Sequence, residues 1–242
     1  MSKKENNNVT VGVRIRPRNE KEIQANMPVY FSSSEDAHDV QELNEDGLIV
    51  KRWSYDNVFG PDCSNSFIFD TMGQKLVDAA IDGYNSVLFM YGQTSSGKTF
   101  TLFGGGGTAG IVMHSMEYLH SKIMASTDLE FVVRLTYSEL YNEELKDLLA
   151  TTPSSEGLKI IDDPNLGPLI QNITEANFTS AQEIKQLLEE GENRRHFGVT
   201  NMNAHSSRSH VMVRLSIETR KVHSKPTHPL RQSWGKDKPT CV

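Results

Sequence analysis

Residues 91–100 read YGQTSSGKTF, with two glycines five positions apart followed by a lysine and a threonine. Directly ahead lies the apolar run Val87, Leu88, Phe89, Met90, so the spacing Gly-x4-Gly-Lys-Thr falls between an expected buried strand, Ser86–Tyr91, and a helix expected from about Lys98. Nothing else in the chain constrains its fold as strongly. At such a junction the backbone N–H groups converge on one spot, carry partial positive charge, and leave room for phosphate oxygens where glycine has no side chain. Gly92, Gln93, Thr94, Ser95, Ser96, Gly97, Lys98 and Thr99 are therefore expected to cradle a nucleotide's phosphates. Lys98 would reach the outer phosphates, and Thr99 would offer its hydroxyl to Mg²⁺. The plain alternative is a glycine- and serine-rich turn with a solvated lysine, and the spacing with its flanks favours binding.

Strand and helix patterns alternate along the rest of the chain. Val9, Val11, Val13 and Ile15 alternate as a strand that Pro17 stops, and a polar stretch to about residue 50 reads as loop and short edge strands. Ile68, Met72, Leu76, Val77, Ala80 and Ile81 fall at helical spacing, with Gly83 as a stop. The cluster Gly104–Gly107 has to end the helix begun at Lys98, and Ile111 to Ile123 resumes one. Phe131 to Tyr137 alternates as a strand, and the later half of YSELYNEELKDLL reads as helical. Ser180 and Glu183 form a capping-box pattern for another helix, and Val211 to Ile217 is a last strand. The sum is an α/β fold, a mixed, mostly parallel central sheet flanked by helices, as in P-loop NTPases.

Composition narrows the partners. With 37% hydrophobic and 23% charged residues, 242 residues suffice for one large soluble domain. No run approaches the roughly 18 apolar residues of a membrane span, and MSKKENNN is too polar for a secretory signal, so the expectation is a cytoplasmic protein with no membrane partner. A net charge of −6 argues against nucleic acid. Cys63 and Cys241 are the only cysteines, too few for a disulfide framework. The Asn-x-Thr sequons at Asn8, Asn172 and Asn177 read as chance matches.

A phosphate loop alone fits several classes, and a second stretch, NAHSSRSH from Asn203 to His210, is informative. On residue type it is a polar loop between a helix and a strand, suited to touching γ-phosphate and metal. Together with the phosphate loop it makes the sequence resemble the kinesin motor domain. The matching elements run in the family's order: VRIRP (13–17), YDNVFGPD (55–62), YGQTSSGKTFT (91–101), YSELYNEELKDLL (137–149) and NRRHFGVTNMNAHSSRSH (193–210). LKIIDDPNLGPLIQNITE and the ending IETRK look most like the centromere-associated subfamily.

The resemblance implies a microtubule-stimulated ATPase with ATP and Mg²⁺ as ligands, acting on the cytoskeleton and the spindle. It implies that Arg14, Arg16 and Pro17 contact adenine and that the ring of Phe100 lies against the base. It also implies a first switch at Asn203, Ser206, Ser207 and Arg208, with Ser207 on Mg²⁺ and Ser206 facing the γ-phosphate; Lys98, Ser206 and Arg208 are the expected catalytic set. Phe100 and Leu102 depart from the family's commoner residues.

A larger departure concerns the family's second switch, Asp-x-x-Gly-x-Glu, which nothing after Val211 matches. Asp70-Thr71-Met72-Gly73 is the chain's only Asp-x-x-Gly; helical spacing runs through it, and Lys75 stands where the glutamate belongs. The expected organisation is a polar tail at 1–8, the N-terminal two-thirds of a motor domain at 9–220, and a non-matching, disordered tail at 221–242. On this reading the main microtubule contact surface and the strands flanking the loop's strand are missing, which implies marginal stability and a deficit in hydrolysis. The alternatives are a non-motile, nucleotide-binding regulatory fragment and an unrelated P-loop phosphotransferase.

Overall fold

A computed structural model of the chain describes residues 9–152, 155–164, 167–177, 180–197, 208–221 and 240–241. The expected tails, 1–8 and most of 221–242, and the switch residues Asn203, Ser206 and Ser207 lie outside them. The chain forms two compact units, one of residues 1–72 and 91–111, the other of residues 73–90 and 112–242.

In the first unit β1 (Gly12–Arg14) pairs in parallel with β5 (Asn57–Phe59), placing Gly12 opposite Asn57 and Arg14 opposite Phe59. Between them come α1 (Glu20–Gln24) and an antiparallel meander of β2 (Phe31–Ser33), β3 (Asp39–Leu43) and β4 (Ile49–Ser54). Asn19 and Glu22 close a capping box on α1, each side chain accepting from the other's backbone N–H, which satisfies two amides that the first helical turn leaves unpaired. After β5, Ser64 caps α2 (Asn65–Ile68), which runs on through a π-helical turn, Phe69–Gly73, into α3 (Gln74–Ile81). Asp70 is thus helical, which removes the Walker-type reading of Asp70–Gly73. Val40, Val58, Phe59, Ile68, Phe69 and Ile111 are the buried apolar residues of this unit among those described.

Residues 86–91 correct the sequence reading. No strand forms there, and among the described residues no strand pairs with them. Val87 is 78% and Phe89 76% exposed, where the apolar run predicts a buried strand. A strand exists through the ladder on its edges, and apolar composition alone does not supply the partner backbone.

The loop that follows leads into α4 (Lys98–Leu102) and then the hairpin of β6 (Gly104–Gly105) and β7 (Thr108–Ala109). Gly106 (φ 59°) and Gly107 (φ 84°) make its two-residue turn, and a Cβ on Gly104 would stand 2.1 Å from the Thr108 carbonyl oxygen. The glycine cluster therefore ends the helix by closing a hairpin.

The second unit contains α5 (Ile111–Ala125) from Val112 onward, and is built on β8 (Leu129–Tyr141) and β13 (His210–Lys221), antiparallel over twelve residue pairs from His210↔Leu140 to Lys221↔Leu129. β12 (Ala176–Asn177) pairs with β8, β14 (Thr240–Cys241) with β13, and β10 (Lys159–Asp163) with β11 (Gly167–Gln171) in a separate hairpin. α6 (Ala181–Phe197) packs on β8 and α3 on β13. Leu135, Tyr137, Met116, Leu119, Ile184 and Ile217 are almost fully buried in this unit, and each apolar side chain so placed contributes roughly 1.5–3 kcal/mol. The fold combines strands and helices as expected; the five-stranded sheet of this unit is antiparallel throughout, and parallel pairing is confined among the described residues to β1 and β5 of the first unit.

A second correction falls on YSELYNEELKDLL. Its later half is β9 (Glu144–Asp147), returning on β8 with Tyr141 opposite Glu144 and Ser138 opposite Asp147. Asn142 (φ 49°) and Glu143 (φ 63°) both take left-handed conformations, the geometry whose twist suits a two-residue hairpin turn. Leu148 is fully buried, with its N–H on the Tyr137 carbonyl at 2.8 Å. That pairing outweighs the helical spacing of the leucines.

Candidate functional site

The loop Gly92–Thr99 is held in an irregular conformation at named positions. Ser95 (φ 64°) and Gly97 (φ 98°) are left-handed, Gly97 directly at the head of α4. A residue with a side chain resists the Gly97 conformation, and at Gly92 a Cβ would stand 2.6 Å from Ser96 Oγ. Left-handed residues alternating with helical ones turn successive N–H groups toward one side, a concavity that accepts anionic oxygens. Most of the loop is open to solvent, and Ser96, Gly97 and Lys98 are half-buried.

Lys98 folds back over its own loop. Its Nζ donates to the carbonyl oxygens of Gly92 at 2.7 Å and Gln93 at 2.8 Å, so the ammonium is held at the loop's mouth. Thr99 stands exposed in the first turn of α4, its carbonyl accepting from Phe103 N at 2.8 Å and its hydroxyl open to a ligand. Backbone N–H groups, one ammonium and one hydroxyl form a donor set suited to phosphate oxygens and to a hard cation with oxygen ligands.

Beside the loop, β1 ends on Arg14 and the chain leads on to Arg16. The Arg16 Cβ lies 3.9 Å from where a side chain on Gly97 would begin. Its guanidinium forks onto Glu22, at 2.8 Å to Oε2 and 2.5 Å to Oε1, and also donates to the Pro17 carbonyl at 2.9 Å. The Arg16 hydrogen bonds, joined by the Asn19 N–H, hold the Glu22 carboxyl well below its ordinary range, at about 2. The same pairing raises the pKa of Arg16.

Arg14 faces inward. It donates to Asn65 Oδ1 at 2.5 Å, to Thr101 Oγ1 at 2.8 Å and to the Cys63 carbonyl at 2.8 Å, and its guanidinium carbon lies 5.3 Å from the centre of the Phe100 ring. Burial lowers the pKa of Arg14 and raises that of the Cys63 thiol, each opposed in part by the other group. Phe100 itself is 42% exposed.

Asn65 is the functional residue that sequence reasoning missed. It is 1% exposed, and its amide nitrogen donates to the carbonyls of Phe100 at 3.0 Å and Ala109 at 2.9 Å while its oxygen receives Arg14. One side chain thus ties β1, α4 and β7. The only sequence signal is its place just after the Ser64 cap, which does not distinguish it from any polar residue in a first helical turn.

The structure brings Arg14, Arg16, Pro17, Gly92–Thr99 and Phe100 together within the first unit. Arg208 belongs to the second unit, exposed and just ahead of β13.

A left-handed glycine loop opening a helix, in a chain built of both strands and helices, is the local arrangement of a P-loop fold. The profile of the kinesin motor domain matches residues 14–235, and the chain belongs to that family. It is similar to a solved fast kinesin with a TM-score of 0.78 and 29% identity, over 88% of this chain and 60% of that one. Kinesin-like protein KIN-7N of Arabidopsis thaliana is 38% identical over 74% of this chain and 22% of its own length. Kinesin heavy chain of Syncephalastrum racemosum is 37% identical over 89% of this chain and 23% of its own, and human centromere-associated protein E 34% over 88% and 8%. The chain thus spans less than a quarter of the length of each of these last three relatives.

Proposed function

We propose that the chain binds Mg-ATP on the loop Gly92–Thr99 and contributes to microtubule-based movement as part of a kinesin motor. The observation that carries this reading is the loop itself: left-handed Ser95 and Gly97, with the Lys98 ammonium held on the carbonyls of Gly92 and Gln93. Lys98 can turn from two neutral acceptors to an anionic one, and charge-assisted bonds are the stronger. Thr99 would hold Mg²⁺, which supplies charge neutralisation across the phosphates. Phe100, kept in place through Arg14 and Asn65, would carry the base, with Arg16 and Pro17 at its edge. By family pattern Asn203, Ser206 and Arg208 would complete the γ-phosphate side and Ser207 would share the metal.

The same reading assigns 9–220 to the motor portion and 1–8 and 221–242 to tails. It places the protein on cytoplasmic microtubules and, through its likeness to centromere-associated protein E alongside KIN-7 relatives, on the spindle. Titration of a fluorescent ATP analogue, with Lys98→Ala as control, tests the site. Phosphate release at saturating microtubules tests the motor, and no stimulation would remove that part.

A second reading, nucleotide binding without motility, is favoured by one observation. Residues 86–90, which lead into the loop, pair with no strand among the described residues. Binding with no microtubule stimulation supports it.

A further inference from the structure

Thr101, in α4 and 7% exposed, makes three hydrogen bonds that bear on the phosphate loop. Its hydroxyl donates to the Gly97 carbonyl at 3.0 Å, and its backbone N–H donates to that same oxygen at 2.9 Å. A threonine bonded to the carbonyl four residues back is ordinary in helices and by itself says nothing of function. What sets this one apart is the third bond, from an Arg14 guanidinium nitrogen to Thr101 Oγ1 at 2.8 Å. Because the hydroxyl accepts from a cation, its single proton is left for Gly97, and an oxygen polarised in that way donates more strongly. The relay therefore has a direction, from Arg14 through Thr101 to Gly97, and all of it lies in the first unit.

Gly97 is the left-handed residue (φ 98°) that opens α4, and no side chain caps it. A trans peptide unit is planar, so its carbonyl and the following N–H point to opposite sides. Holding the Gly97 oxygen from within the helix thus aims the Lys98 N–H the other way. Two donors on one carbonyl resist a rotation of that peptide which glycine would otherwise allow cheaply. At its other end the relay is anchored independently. Arg14 is held by Asn65 Oδ1 at 2.5 Å and the Cys63 carbonyl at 2.8 Å, with its guanidinium carbon 5.3 Å from the centre of the Phe100 ring.

We propose that Thr101 is a positioning residue of the phosphate loop: its hydroxyl, oriented by Arg14, holds the Gly97–Lys98 peptide with the Lys98 N–H presented to phosphate oxygens. The inference deepens the proposed ATP site and rests on it. It also gives Arg14 a second duty. A residue that meets only the base matters to ATP and not to a ligand without a base, whereas a residue at the head of the relay matters to both.

The test uses the full chain as wild type, Thr101→Val, Thr101→Ser and Arg14→Gln. Valine keeps the branching of threonine and leaves no group unpaired: Gly97 keeps the backbone N–H of residue 101, and Arg14 keeps Asn65 and Cys63. The melting temperature of Thr101→Val should therefore stay within a few degrees of wild type. The Lys98 amide resonance is read without nucleotide in proton–nitrogen correlation spectra. Inorganic triphosphate and ATP, each with Mg²⁺, are then titrated against a fluorescent ATP analogue. Thr101→Val is expected to displace the Lys98 resonance and to weaken both ligands roughly 3- to 10-fold, one hydrogen bond's worth. Thr101→Ser, which keeps the hydroxyl, brings both readouts back, and Arg14→Gln weakens inorganic triphosphate as well as ATP. Should Arg14→Gln fail to fold, the valine and serine variants decide alone. Unchanged triphosphate affinity in Thr101→Val overturns the proposal, as does a loss that serine fails to restore. An Arg14→Gln protein that loses ATP affinity alone confines Arg14 to the base and breaks the relay. A wild type that binds neither ligand sinks the ATP site, and the Lys98 resonance still decides whether Thr101 aims the peptide.

Discussion

Arg14 and Asn65 meet at 2.5 Å across 51 residues of sequence, and through that bond the first strand of the chain is joined to the segment that follows the phosphate loop. Removing the amide leaves Arg14 and the carbonyls of Phe100 and Ala109 each short of a partner. Asn65→Ala is expected to destabilise the fold by about 3 kcal/mol in denaturant unfolding, since a buried polar group left unpaired costs about 1–3 kcal/mol. A loss below about 0.5 kcal/mol would show that Asn65 does not tie the strand to the helix and hairpin.

Lys98 separates binding from folding. Its ammonium bonds two exposed carbonyls, so Lys98→Ala should leave stability within about 0.5 kcal/mol of wild type. Affinity for the ATP analogue should fall at least tenfold, about 1.4 kcal/mol or more. Equal affinities in the fluorescence titration would contradict the loop's assignment.

The Arg16–Glu22 fork predicts a pH signature. Glu22 is depressed in the folded chain, to about 2. Its contribution to the α1 cap is therefore full above the ordinary carboxylate range, near pH 4.3, and fades as the pH falls toward 2. In an NMR titration the Glu22 carboxyl should turn over near the low value, and Arg16→Gln should move the midpoint back up. A wild-type midpoint at the ordinary value would dissolve the fork as a solution feature.

Gly191 is expected to tolerate nothing larger. Gly191→Ala places a Cβ against the Tyr137 ring, and because both the ring and the helix backbone are buried, the strain should cost about 1–3 kcal/mol in thermal or denaturant unfolding.

Phe89 tests whether residues 86–91 stand outside any ladder. In a buried strand Phe89→Lys would be ruinous; on an exposed segment it should leave the melting temperature within a few degrees of wild type. Because Ser86–Tyr91 is uncharged and rich in strand-forming residues, the added charge should also slow aggregation, read by light scattering.

Local signals are legible wherever one residue decides the geometry. The capping Ser180, whose Oγ accepts the Glu183 N–H at 3.2 Å, the stop at Gly83 (φ 95°) and the break at Gly104–Gly107 are all readable in the sequence. The pattern at 86–91 misleads because apolar alternation reports only what a side chain would bury, and strand formation depends on distant backbone. Asn142 and Glu143 hide the β9 hairpin, since neither carries the glycine that advertises a two-residue turn. At the site, the phosphate loop stands in consecutive residues and can be read. Asn65 acts through partners 35 to 51 positions away, and no spacing rule reaches that far.

The β8–β13 ladder also sets a timetable. Tyr141 is made 80 residues before Lys221, the difference between the two strand ends, and among the described residues the short β9 and the two-residue β12 are its strand partners made in the interval. At ribosomal speeds of about 5–20 residues per second, the nascent strand waits on the order of 4 to 16 seconds for its long partner to be complete. During that wait its apolar edge is open to whatever meets it first, so a holding chaperone at the exit tunnel would gain most of its benefit for this chain between residues 141 and 221.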